Sequence, residues 1–146
     1  MSAAPAFTSL REKIAFETAA RKARYAKFQT DWSDAVEAGN RAALAIRQSI
    51  TPMVIVGADA NGNQSEWIVP DGPCGFAYLT VHPATCSFAR WLVKQGLARK
   101  SYFGGVEHSI QEHNQSMGMK AAHAEAMAKL LTERGHAGVS FREVID

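Results

Sequence analysis

TPMVIVGADANGNQSEWIVPDGPCGFAYLTV, from Thr51 to Val81, decides the fold. Met53 to Val56 is a short apolar run, and Asp59-Ala60-Asn61-Gly62-Asn63 is turn chemistry. Glu66 to Val69 is a second run. Two such runs around Asn-Gly predict a β-hairpin with a loop longer than two residues. Pro70-Asp71-Gly72-Pro73 is a further turn. Phe76 to Val81 reads as a third strand, with Phe76, Tyr78 and Thr80 alternating against Ala77, Leu79 and Val81.

Upstream of Thr51 the period is helical. Ser9-Leu10-Arg11-Glu12 is a capping box, which predicts a helix from Leu10 to about Gln29. A second helix is expected from Asp31 to about Gln48, with Trp32, Val36, Ala43 and Ile46 on its buried stripe. The connection is short, so the two form an antiparallel hairpin. Downstream, Thr85 or its neighbour caps a helix through Phe88, Trp91 and Leu92, and Gly96 closes it. A fourth strand is expected over 105–111. A last helix, capped by Asn114 or Ser116, runs to Arg134, and a terminal strand covers 139–144. The class is α+β. A helical hairpin over 10–48 precedes a small mixed or antiparallel sheet with two packed helices over 52–146, all in a single domain over 1–146.

Composition sets the function classes. The chain has 146 residues, 47% of them hydrophobic and 21% charged, which are globular values. No apolar run approaches the ~18–20 residues of a membrane span, and the amino terminus lacks the pattern of a signal peptide. Two cysteines cannot build a disulfide framework, so free thiols and a cytoplasmic setting are expected. The net charge is +2, but it is unevenly spread: +4 over 1–30, −4 over 31–72, +4 over 73–105 and −2 over 106–146. Such a protein can bind an anion locally without the bulk basicity of one that coats nucleic acid.

The acid-free third block carries the strongest candidate site. Arg90 and Lys94 share a helix face, Arg99 and Lys100 follow the helix end, and Tyr102 and Phe103 precede Gly104-Gly105. Bases of this kind suit phosphate, and exposed aromatic rings suit unpaired nucleic-acid bases. The plainer alternative makes Trp91 and Phe103 core residues and the charges a solvated face. The basic first helix offers a second such face.

The sequence also holds candidates for thiol and metal chemistry. Asp71-Gly72-Pro73-Cys74 resembles the Asp-Gly-X-Cys signature of ovarian-tumour-type cysteine proteases, which implies a nucleophilic Cys74; the candidate bases in this sequence are His82, His108 and His113, with Asn114 or Glu107 to orient them. In that family the cysteine opens a helix, whereas Phe76 to Val81 here reads as a strand. For a metal, Cys74, His82 and Cys86 lack the tight pairs of a structural zinc site, and His108 and His113 form a lone pair. His123 is expected on a surface or core edge, and His136 in solvent. No metal and no cofactor is expected.

Residues 70–134 resemble small uncharacterised proteins of tailed bacteriophages and prophages. The resemblance lies in Pro70-Asp71-Gly72-Pro73-Cys74-Gly75-Phe76-Ala77, Phe88-Ala89-Arg90-Trp91-Leu92, Tyr102-Phe103-Gly104-Gly105-Val106 and Asn114-Gln115-Ser116-Met117. It implies a viral accessory role in the cytoplasm of a bacterial host and supplies no catalytic residue. The expected function is therefore non-enzymatic: binding of a host or phage protein, or of nucleic acid, through Arg90, Lys94, Arg99, Lys100, Tyr102 and Phe103. A cysteine-dependent hydrolase and a small structural component of the virion are the alternatives.

Overall fold

The computed structural model describes residues 6–146. The reading of the amino-terminal stretch as free of a targeting segment falls partly on residues 1–5, outside the described residues. The chain is α+β: a long amino-terminal helix is followed by two small antiparallel sheets and two more helices.

Helix α1 spans Leu10–Ile46 without interruption. Ser9 caps it, with its hydroxyl accepting the Glu12 amide at 3.1 Å. The expected two-helix hairpin is thus corrected to one helix. Asp31 is of a residue type that favours an N-cap, which is why a break is expected there. Its carboxylate instead takes side-chain partners from a distant part of the chain, and no Gly or Pro interrupts residues 10–38 to make a real break.

A one-turn 3₁₀ segment at Arg47–Ser49 leads to β1 (Met53–Ala58) and β2 (Gln64–Val69). Among the described residues these pair only with each other, with Ile55 opposite Trp67 and Val56 opposite Glu66. Asp59 closes their turn by accepting the amides of Asn61 and Asn63, each at 2.9 Å. The expected hairpin therefore forms, but as a sheet of its own.

The second sheet contains β3 (Gly75–Val81), β4 (Arg99–Lys100), β5 (Val106–Ser109) and β6 (Val139–Ile145), in the order β4-β5-β3-β6. Helix α2 (Ser87–Lys94) and helix α3 (Met117–Glu133) complete the fold. Cys86 and Ser116 are their N-caps, through Sγ to the Ala89 amide and Oγ to the Met119 amide. Gly96, at φ +73°, supplies the left-handed residue that ends α2.

One core joins these elements. Phe28, Trp32 and Ala35 of α1 meet Phe88, Trp91 and Leu92 of α2, Met127 and Leu131 of α3, and Leu79 and Val81 of β3. The buried positions of α1 recur every three or four residues from Phe28 to Ala43, and the later ones are Ala35, Gly39 and Ala43. Small residues there let α3 approach closely. A Cβ on Gly39 would lie 2.5 Å from Cδ2 of the fully buried His123. Gly39→Ala is accordingly expected to destabilise by ~1–3 kcal/mol, although alanine favours a helix by ~1 kcal/mol. Urea midpoints of the two proteins check this.

Candidate nucleic-acid interface

The acid-free block folds into α2, β4 and the turn that joins β4 to β5. Arg90 and Lys94 stand one helical turn apart on the exposed side of α2. Lys100 lies on β4 opposite Val106. These three cations line one depression of about 390 Å³ with Ala84, Thr85, Val93 and Val106, and no carboxylate lines it. Lys94 also rests 5.7 Å from the ring centre of Tyr25, which orients its ammonium.

Arg99 does not join them. Successive residues of a strand point to opposite faces, so Arg99 and Lys100 separate. Arg99 lies instead 3.3 Å from Glu107, its partner in the β4–β5 register, and borders a second depression with Glu107 and His108. Glu107 is buried and also takes Arg142 at 2.7 Å. Burial alone would raise its carboxyl, but hydrogen bonds from Arg142 and Ser101 and the nearby cations outweigh that and hold it below the usual range. Arg99 thus shares with Arg142 a carboxylate only eight residues away in sequence, and faces Glu107 rather than the cationic depression.

Tyr102 and Phe103 occupy the tip of the β4–β5 turn. Ser101 and Gly105 close it through a backbone bond of 3.0 Å, and Gly104 and Gly105 supply its left-handed geometry. Tyr102 is 96% exposed, so it is not a core residue. Phe103 is exposed too, but it is held. The Arg142 guanidinium lies between the Phe103 and Tyr78 rings, 4.9 and 4.2 Å from their centres, and Tyr102 packs edge-on against Phe103.

The thiol constellation does not assemble. Cys74 precedes β3, pairs through its backbone with Ser116 and passes directly into a strand. His82 follows the far end of that strand, ~26 Å away at 3.3 Å per residue. His108 faces Leu79, ~16 Å along β3 from Cys74. Its Nδ1 donates to the Leu97 carbonyl at 2.6 Å. A nucleophile and its base must lie within ~3 Å. Both cysteines are free. Among the described residues, no group of three or more His, Cys, Asp or Glu can hold a metal ion, and no helix is long and apolar enough to cross a membrane.

No family model, curated protein or solved structure matches the chain.

Two polar clusters escaped the sequence reading. His136 is buried rather than solvated, and its Nε2 lies 2.8 Å from Asp31. Arg134 and Lys27 complete this cluster, at 3.0 and 2.6 Å from the same carboxylate. His123 is fully buried rather than at an edge, and its Nδ1 meets Nε2 of His113 at 2.9 Å. The lone histidine pair considered in sequence was His108 with His113; the fold pairs His113 with His123. Neither cluster borders the cationic depression.

Proposed function

We propose that this chain is a non-catalytic binding protein whose α2–β4 edge holds the phosphate backbone of single-stranded nucleic acid. One observation carries the reading. Arg90, Lys94 and Lys100 converge on one depression free of carboxylates, with the exposed ring of Tyr102 at the tip of the turn that follows Lys100. Uncompensated cations favour phosphate, and an exposed ring offers a stacking face to an unpaired base. The setting we propose, an accessory protein of a tailed phage or prophage in the bacterial cytoplasm, is supported by the resemblance of residues 70–134.

The roles divide among the six residues singled out in sequence. Arg90, Lys94 and Lys100 contact phosphate, Tyr102 stacks, Phe103 with Arg142 braces Tyr102, and Arg99 supports the sheet through Glu107. Fluorescence anisotropy on a labelled single-stranded oligonucleotide tests this division. The triple variant Arg90→Ala/Lys94→Ala/Lys100→Ala should bind far more weakly than wild type. Arg99→Ala should stay close to wild type. Tyr102→Ala should lose ~1–3 kcal/mol of binding and should affect single strands more than duplex. An Arg99→Ala loss equal to that of the triple variant would refute the division. Binding only to an acidic protein captured from lysate, and not to any nucleic acid, would replace the ligand class.

A further inference from the structure

Independently of that edge, the molecule carries two exposed apolar arms of opposite charge. The first is the β1–β2 hairpin. Val54, Val56 and Ile68 share one face and are 55%, 59% and 69% exposed, while Ile55 and Trp67 on the other face are 43% and 55% exposed. A two-stranded hairpin is at best marginally stable alone in water, and contiguous apolar patches on a monomer are usually small. The second arm is the start of α1. Every residue from Leu10 to Arg24 is exposed, including Leu10, Ile14 and Phe16. Leu10 and Ile14 continue the stripe that Phe28 and Trp32 bury farther along, so the helix overruns the body that covers it.

Charge says what covers them. The helical arm carries Arg11, Lys13, Arg21, Lys22 and Arg24 against Glu12 and Glu17. The hairpin carries Asp59 and Glu66, and no Lys or Arg occurs between Arg47 and Arg90. Hairpin against hairpin, or arm against arm, would bring like charges together. Arm against hairpin brings apolar surface and opposite charges together. The lengths also agree: fifteen helical residues rise ~22 Å at 1.5 Å each, and six strand residues ~20 Å at 3.4 Å each. We propose that a second copy of this chain docks here, the basic start of α1 of one copy lying along the acidic β1–β2 hairpin of the other.

Light scattering coupled to gel filtration on the nuclease-treated full chain tests the proposal. The wild type should have at least twice the monomer mass of 15.9 kDa. Its association should weaken as salt rises, because opposite charges attract across the contact. Leu10→Asp/Ile14→Asp and Val54→Lys/Ile68→Lys should each yield monomer while keeping the far-ultraviolet spectrum of wild type. Glu66→Lys, a milder surface change, should weaken association by itself. A monomeric wild type would overturn the proposal. So would association that survives the change in either arm, which would indicate hairpin-to-hairpin or arm-to-arm contact. Association that strengthens with salt, or is unmoved by Glu66→Lys, would overturn the charge pairing even if a variant fails to fold.

Discussion

Asp31→Ala is expected to lower the unfolding free energy by about 3 kcal/mol, because it removes the acceptor of a buried ionic cluster. Asp31 is 3% exposed and bonded to Lys27, Arg134 and His136. Lys27 and Arg134 are partly exposed and can turn to water, but His136 is buried and its Nε2 would lose its partner. The cluster ties the middle of α1 to the end of α3, so the loss should appear as a lower urea midpoint for the whole chain. Burial alone would raise the Asp31 carboxyl. The hydrogen bonds from Lys27, His136 and Arg134 outweigh it and hold the group below the ordinary aspartate value of 3.8. A carboxyl depressed in the folded state gives stability that is complete above its unfolded value and is lost as pH falls through its folded value. The acid limb of wild-type stability, between the ordinary value of 3.8 and the lower folded value, should therefore flatten in Asp31→Ala.

A second, separate loss is expected at milder acidity. Burial, reinforced by nearby His113 and His108 and partly opposed by Glu112, lowers His123 from 6.5 to about 4. Folded His123 is therefore neutral at pH 5, whereas unfolded His123 is mostly protonated. The depressed basic group makes stability complete above about pH 6.5, and it falls as pH drops toward 4. The loss amounts to ~2 kcal/mol at pH 5 and approaches ~3 kcal/mol at the lower end. The fold gives the added proton no ready place. Nδ1 of His123 is engaged by His113, and its Nε2 is buried beside Gly39 without a partner among the described residues. His123→Gln should remove most of the difference between urea midpoints measured at pH 7 and pH 5. An unchanged difference would assign the loss to another group.

The failed and successful readings have local causes. Ser9 and Gly96 were legible because caps are written within four residues of where they act. The alternation of β3 was legible because one of its faces is buried throughout, at Gly75, Ala77, Leu79 and Val81. Asp31 misled because an aspartate ahead of an apolar stripe looks like an N-cap, and two of its three partners, Arg134 and His136, lie more than a hundred residues away. His136 and His123 looked solvated or marginal for the same reason: their partners Asp31 and His113 meet them only in the fold. In the cationic block, four bases close in sequence read as one edge. The two-residue strand β4 is too short to leave a periodic signal, yet it turns Arg99 away from Lys100 and toward Glu107. The strand that separates Cys74 from His82 was legible, whereas the pairing that sets His108 opposite Leu79 is made only in the fold.

The three cations of the α2–β4 edge carry the proposed function, and salt reads them most directly. Each phosphate neutralised on a single strand contributes ~0.7 to the slope of log K against log salt. If Arg90, Lys94 and Lys100 each hold a phosphate, the slope for wild type on single-stranded DNA should be steeper by ~2 than that of Arg90→Ala/Lys94→Ala/Lys100→Ala. Equal slopes and equal affinities for the two proteins would contradict the assignment and make this edge an ordinary solvated surface.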